Sequence, residues 1–241
     1  MAEQGKTTRR RLLMAGAVVA GSSVLTAEQA FADGYGSGPL GPYLNSSRVI
    51  SSDEQIRMVL AQSGLFMFGD SIALQDAKSL AERLGSRTQD VLAVNNWTGR
   101  PTEHGVDALA AWAATYGLPT RILMALGSND IFTPPAFAAQ INRTMSLVGT
   151  TRTVYWVNVQ VSRTKYSLET QIADQRNTGW VNLQLAEANR RYPNLRVVHW
   201  AEFLAAKIDR LTMYLRDGVH TTVPLGQDAR NELIVQAIAA G

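Results

Sequence analysis

The sequence predicts an α/β fold, a parallel sheet covered by helices on both faces. Three observations carry the prediction. Short apolar runs of strand length alternate with amphipathic stretches of helical period along most of the chain. The clearest runs, Leu65-Phe66-Met67-Phe68 and Ile122 to Leu126, contain no polar residue, as expected of strands buried inside a covered sheet. No internal repeat and no long linker divides the 241 residues, so one domain is expected, with function at the carboxyl ends of its strands.

The first segment, residues 1–32, reads as an export signal. Lys6, Arg9, Arg10 and Arg11 precede a moderately apolar stretch, Leu12 to Leu25, and Ala30-Phe31-Ala32 is a small-x-small cleavage signal before Asp33. Fourteen helical residues reach only about 21 Å, short of the roughly 30 Å hydrocarbon core, so no stable membrane anchor is expected. Thr8-Arg9-Arg10-Arg11-Leu12-Leu13 resembles the twin-arginine motif, which implies export of a folded protein by that machinery. The alternatives are an ordinary unfolded-export signal or a basic nucleic-acid arm. The whole chain carries 23 Lys+Arg against 20 Asp+Glu, but without residues 1–32 the balance falls to 19 against 18. The case for an anionic partner disappears with it: no nucleic acid is expected, and the expected location is extracellular. The chain has no cysteine, which excludes disulfides, thiolate metal sites, a cysteine nucleophile and a lipidated cysteine.

After a Gly/Pro-rich leader (Gly34 to Pro42), the 33–241 domain begins with Leu65–Phe68, a strand flanked by Gly64 and Gly69. Ile72 to Leu84 has apolar residues at helical spacing, with Gly85 as its expected stop. Arg87 to Val94 is a weaker strand. Val106 to Tyr116 reads as a helix ended by Gly117 and Pro119, and Ile122–Leu126 as the next strand. Thr133 and Pro134 suit the opening of a helix whose apolar stripe is Phe137, Ile141, Met145 and Val148. Thr153 to Val159 is a β-branched and aromatic strand, Val181 to Tyr192 a helix, Leu195 to Trp200 the last strand and Ala229 to Ala239 the closing helix.

Four short motifs fall at strand ends. In Phe68-Gly69-Asp70-Ser71-Ile72, a serine sits at a strand-to-helix junction, where free backbone amides and the helix dipole favour an oxyanion; an Asp-Ser pair is also an ordinary helix cap. A nucleophilic serine needs a base, and the base an orienting carboxylate. Of the three histidines, His104 lies at a helix start and His199 in the last apolar strand, where a buried structural role is expected. Only His220 has an Asp three residues earlier in a glycine-containing loop, Asp217-Gly218-Val219-His220, though a satisfied surface histidine fits the same pattern. Gly127-Ser128-Asn129-Asp130 follows a strand and offers a side-chain amide, or makes a plain turn. Asn95-Asn96-Trp97-Thr98-Gly99-Arg100, the least specific, offers a backbone N–H at Gly99.

Together and in this order, the motifs resemble the SGNH hydrolases, or GDSL esterases and lipases: Gly-Asp-Ser, an isolated Gly, Gly-x-Asn-Asp, then Asp-x-x-His. The likeness runs from about Leu65 to Ala239. It implies a flavodoxin-like three-layer αβα sandwich around a parallel five-stranded sheet. It also implies Ser71 as nucleophile, His220 as general base and Asp217 as its orienter, with an oxyanion hole from the Ser71 and Gly99 amides and the Asn129 side chain. Asp130 is expected to hold its loop. Ile72-Ala73 departs from the continuation common among GDSL lipases.

A looser similarity links Trp156-Val157-Asn158-Val159, Asn182, Leu185, Ala186, Arg191-Tyr192-Pro193-Asn194 and Val198-His199-Trp200 to extracytoplasmic SGNH domains acting on O-acetyl groups of polysaccharides, which often carry Asp where His199 stands. The expected protein is a secreted serine ester hydrolase of small acyl esters, with a small-molecule or polysaccharide substrate and no metal or other cofactor. An O-acyltransferase and a non-catalytic carbohydrate-binding module are the alternatives. Val161 to Arg176, with Arg163, Lys165, Tyr166 and Arg176, reads as a substrate-facing or merely solvated loop.

Overall fold

The structure, a computed structural model, describes residues 34–241; the export signal and its cleavage site lie outside the described residues. A short edge strand β1 (Arg48–Ile50) leads into helix α1 (Asp53–Ala61). Strand and helix then alternate: β2 (Leu65–Gly69), α2 (Ser71–Arg87), β3 (Leu92–Trp97), α3 (Thr102–Tyr116), β4 (Arg121–Ala125), α4 (Phe137–Val148), β5 (Thr153–Val157), α5 (Leu168–Arg191) and β6 (Leu195–Val198). Three helices close the chain: α6 (Trp200–Ala205), α7 (Arg210–Tyr214) and α8 (Leu225–Ala239). None of the described helices is long and apolar enough to cross a membrane.

The sheet order is β1-β3-β2-β4-β5-β6. Strands β2 to β6 are all parallel, the five-stranded sheet expected, and β1 adds a sixth strand antiparallel to β3, pairing Arg48 with Trp97 and Ile50 with Asn95. Three exposed residues give too short a pattern to read as a strand. In β2 the pleat sends alternate side chains to opposite faces. Phe66 and Phe68 join the core under α1, α3, α4 and α5 with Trp112, Met124, Trp156 and Leu185. Leu65 and Met67 join the other core with Leu80, Leu84, Leu123, Tyr155 and Ile234, beneath α2 and α8. The result is a three-layer sandwich with two cores.

The boundaries depart from the sequence reading where burial is not apolar. Helix α2 runs through Gly85 to Arg87, because nothing there forces the chain to turn. Helix α5 begins at Leu168, capped by the Ser167 hydroxyl, and half of the expected loop is therefore helical. Its first turns bury Ala173, Asp174, Asn177 and Thr178, so the apolar period appears only from Val181. Thr133 takes the N-cap position of a short 3-10 turn, Pro134–Ala136, with Pro134 opening it but without a side-chain cap bond, and that turn leads into α4. The last strand ends at Val198, and His199 turns outward into α6 with about two thirds of its side chain exposed, beside Glu202 at 3.4 Å. The buried role expected for it is therefore corrected.

Neighbours of β2 lie on opposite sides, β3 after it in sequence and β4 next, so the connections leaving β2 and β4 diverge. Beyond the carboxyl ends of these two strands the topology opens a crevice. Ser71 and the Gly127–Asn129 turn stand at that crevice.

Candidate active site

Strand β2 delivers Ser71 to the crevice through a close strand-to-helix turn. A Cβ on Gly69 would lie 2.1 Å from the Ala73 Cβ, so only glycine lets the first turn of α2 fold down on the strand end. Asp70, 2% exposed, takes the capping role: its Oδ1 accepts the Ile72 N–H at 3.0 Å, and its Oδ2 accepts the Ser128 hydroxyl at 2.5 Å. Ser71 is thus the first helical residue, with its hydroxyl free for another partner.

That partner is His220. Ser71 Oγ lies 2.9 Å from His220 Nε2, and His220 Nδ1 lies 2.9 Å from Asp217 Oδ2. With the Nδ1 proton donated to the Asp217 carboxylate, Nε2 is left to accept from the serine hydroxyl. Asp217 is itself held by its other oxygen, since Oδ1 accepts the backbone N–H of His220 at 2.8 Å and of Val219 at 3.1 Å. Burial pushes the Asp217 carboxyl up, but the His220 backbone and ring bonds, the His220 charge and the Val219 amide outweigh it and hold the group below its ordinary value.

The loop carrying this pair is pinned on two sides. The Ser162 and Thr164 amides donate to Gly218 and Asp217 carbonyls at 3.0 and 3.1 Å. Gly218 has φ +82°, and a Cβ there would meet the Ser162 oxygen at 1.8 Å. On the far side, Thr221 donates to fully buried Asp76 at 2.9 Å, while Gln75 donates to the Thr221 hydroxyl at 2.7 Å and its carbonyl at 3.1 Å. Asp76 and Gln75 belong to α2, the helix that Ser71 opens. Both ends of the serine–histidine contact therefore rest on one helix.

Of the other sequence-derived candidates, Asn129 lines the same pocket, the Gly99-Arg100 turn is tied to it, and Asp130 borders the neighbouring cavity. Asn129 lines the pocket with Ser71, and its Nδ2 donates to the Arg100 carbonyl at 3.2 Å. This bond draws the Gly99-Arg100 turn against the Gly127–Asn129 turn. Among the described residues, the Ser71 and Gly99 amides make no hydrogen bond. Asp130, 4% exposed, accepts the Thr102 N–H and hydroxyl at 3.1 and 2.7 Å, both on Oδ2, tying its turn to the start of α3. Burial raises its carboxyl to about 6, against the two Thr102 bonds.

The pocket over Ser71 measures about 210 Å³, walled by Ile131, Phe132, Val161 and Tyr166, with Lys165 beside them. Arg163 is less a substrate contact than a strut. Its guanidinium grips fully buried Asp174 at 2.7 and 2.8 Å, which raises its own pKa, and lies over the Phe132 and Tyr166 rings at 5.0 and 4.3 Å. Arg176 turns away to the Tyr35 carbonyl. His104 pairs with the Tyr43 hydroxyl at 2.7 Å and belongs to a neighbouring cavity. Sequence reasoning passed over Ser128 and Arg100, whose contacts join segments far apart in the chain; the adjacent Gly-Ser-Asn-Asp and Gly-Arg motifs were their only signal.

Comparison with known proteins follows the fold. Neither a scan against protein-family profiles nor a search of curated proteins finds a match. The chain is similar to the lipase/acylhydrolase from Enterococcus faecalis, at 18% identity and TM-score 0.56 over 73% of this chain and 95% of that one. It is similar to a GDSL-like lipase from Bacteroides thetaiotaomicron, at 16% identity and TM-score 0.59 over 80% and 92% of the two chains. A third likeness is to the C-terminal catalytic domain of Streptococcus pneumoniae peptidoglycan O-acetyltransferase A in a methylsulfonyl adduct, at 15% identity and TM-score 0.54 over 73% and 90%. At such identities the likeness is one of fold.

Proposed function

We propose that this protein is an SGNH-type serine ester hydrolase acting on small acyl esters. The observation that carries the reading is the continuous Ser71–His220–Asp217 relay, two contacts of 2.9 Å, at the mouth of a pocket beside the start of α2. A binding module has no need of a serine hydroxyl aimed at an imidazole that is itself oriented by a carboxylate.

The chemistry is two-step acyl transfer. Ser71 Oγ attacks the ester carbonyl while its proton passes to His220 Nε2. The carbonyl oxygen becomes an oxyanion, which the Ser71 and Gly99 amides and Asn129 Nδ2 receive, the last by releasing its long 3.4 Å bond to Ser128 Oγ while keeping the one to the Arg100 carbonyl. Collapse breaks the ester bond, and His220 gives its proton to the departing alcohol. Water, deprotonated by the same nitrogen, then attacks the acyl-serine and releases the acid. Asp217 stays ionised and holds the imidazole.

The pocket volume, about 210 Å³, is below the roughly 300–1,000 Å³ of sites for drug-sized ligands, which favours short acyl groups such as acetyl. Across Phe132, a second cavity of about 640 Å³ bordered by Tyr43, His104 and Gln140 gives the alcohol portion room, in keeping with an O-acetylated carbohydrate. The same cavity could seat an acceptor hydroxyl in place of water. With the likeness to an O-acetyltransferase domain, this favours O-acyl transfer as the second reading. Residues 1–32 would take the folded domain out of the cell by the twin-arginine route.

The test is hydrolysis of p-nitrophenyl acetate by residues 33–241. Ser71→Ala and His220→Ala should each abolish it, and unchanged turnover in either folded variant would sink the reading. Product analysis with a sugar acceptor separates transfer from hydrolysis.

A further inference from the structure

Arg100 is one of the largest fully buried side chains in the protein, 1% exposed, and it makes no ion pair within 4 Å among the described residues. A buried guanidinium without a carboxylate on it is costly, and burial lowers its pKa to about 10 although Asp70 and Tyr43 pull the other way. Its hydrogen bonds show what it is fastened to. Nη1 donates to Asn95 Oδ1 at 2.8 Å, and Nη2 donates to the Gly69 carbonyl at 2.7 Å and to the Asn95 carbonyl. Nε has no partner. The planar fork thus clamps the carboxyl end of β2 to that of β3, a geometry that a single ammonium cannot reproduce.

The three expected oxyanion donors all hang from this clamp. Gly69 lies two residues before Ser71 in the chain. Gly99 is the residue next to Arg100. Asn129 donates its side-chain amide to the Arg100 carbonyl at 3.2 Å. We infer that Arg100 is the positioning residue of the oxyanion hole: its guanidinium fork and main-chain carbonyl fix the Ser71 amide, the Gly99 amide and the Asn129 side chain relative to one another. Its buried positive charge also offsets the Asp70 carboxylate, which stands directly beside Ser71 and opposes a developing oxyanion. The inference rests on the ester-hydrolase reading and assigns to that site a residue that touches no substrate.

Donors that act only on the oxyanion change kcat and leave ground-state binding alone. Arg100→Lys keeps the charge and loses the fork. It should lower kcat on p-nitrophenyl acetate about 10²-fold, as for the misplacement of a catalytic group by an ångström, while KM moves less than about threefold. A boronic acid that forms a tetrahedral adduct on Ser71 should lose affinity in parallel with kcat/KM. In an Asn129→Ala background, Arg100→Lys should cost clearly less than in the parent, because the two act through one donor set. A purely structural role would lower thermal stability and leave the two costs additive. Should Arg100→Lys fail to fold, Asn95→Ala removes one acceptor of the fork and should still lower kcat about tenfold.

Parent, Ser71→Ala and Arg100→Lys proteins are assayed together. An active parent with full kcat in Arg100→Lys, or in Asn95→Ala where that variant stands in, overturns the role of Arg100 alone. Additive costs with Asn129→Ala overturn it as well. A parent no faster than Ser71→Ala overturns the hydrolase reading, and the role of Arg100 falls with it.

Discussion

Asp130→Asn should stabilise the protein above neutrality and do so less and less as the pH falls. Asp130 is 4% exposed, and burial raises its carboxyl from 3.8 to about 6, with the charges of Asp70 and Glu103 adding to the rise and the Thr102 bonds opposing it. Between pH 3.8 and about 6 the native protein keeps a proton that the unfolded chain has lost, so stability falls as the pH rises through that window. At roughly 1.4 kcal/mol per pKa unit, the full cost above pH 6 is about 3 kcal/mol. Both Thr102 bonds end on Oδ2, so the amide oxygen of an asparagine keeps them and never ionises. The expected gain is therefore up to about 3 kcal/mol at pH 8, or about 6–12 °C in Tm for a domain of this size, vanishing near pH 4. Urea unfolding of both proteins at half-unit steps from pH 4 to 8 measures it. Curves that stay parallel across the range, or a variant less stable at pH 8, would refute the assignment of a buried, reluctantly ionised carboxyl.

Three further outcomes follow from the same contacts. Asn129→Ala should lower kcat on p-nitrophenyl acetate by about 10²–10³ with KM little changed; a loss confined to KM would place Asn129 in substrate binding instead. Gly218→Ala puts a Cβ 1.8 Å from the Ser162 carbonyl oxygen at φ +82°, so the Asp217–His220 loop must move; activity should drop about 100-fold or more, and an unaffected kcat would show that the loop yields without moving the imidazole. Asp76→Ala strips the partner from Thr221 and leaves Arg230, 4% exposed and 3.5 Å away, as a buried unpaired charge; a loss of about 3–5 kcal/mol in urea unfolding is expected, and one under about 1 kcal/mol would show the group to be idle.

Strands β2, β4 and β5 were legible because each is a short, almost wholly apolar run between turn residues. Strand β3 was misplaced: the expected Arg87 to Val94 overlaps it only at Leu92 to Val94 and takes in the end of α2, because the strand continues through the polar Asn95 and Asn96. Polar burial was not legible. The first half of α5 hides Asp174 and Asn177, one gripping Arg163 and the other bonding Ser37 and Ile131, and such satisfied polar groups look like a solvated loop in sequence. His199 failed for a related reason: an apolar run says where a strand passes, not the residue at which the chain leaves the sheet. At the site, Ser71 and Asn129 could be chosen because chemistry demands those residue types after strand ends, and Asp217 and His220 because only they pair a carboxylate with a histidine in a glycine loop. That loop lies between α7 and α8 rather than at a strand end, and the fold still brings all four to one pocket. Arg100 could not, since its significance lies in reaching Gly69 and Asn95 on two neighbouring strands at once.

The central claim is that His220, oriented by Asp217, activates the Ser71 hydroxyl. Reaction with a fluorophosphonate, followed by peptide mass mapping, reads this directly. The account predicts a single adduct on Ser71, formed at a rate that collapses in His220→Ala. No adduct under conditions that label a control esterase, or an adduct on Ser128 across the same pocket, would contradict it.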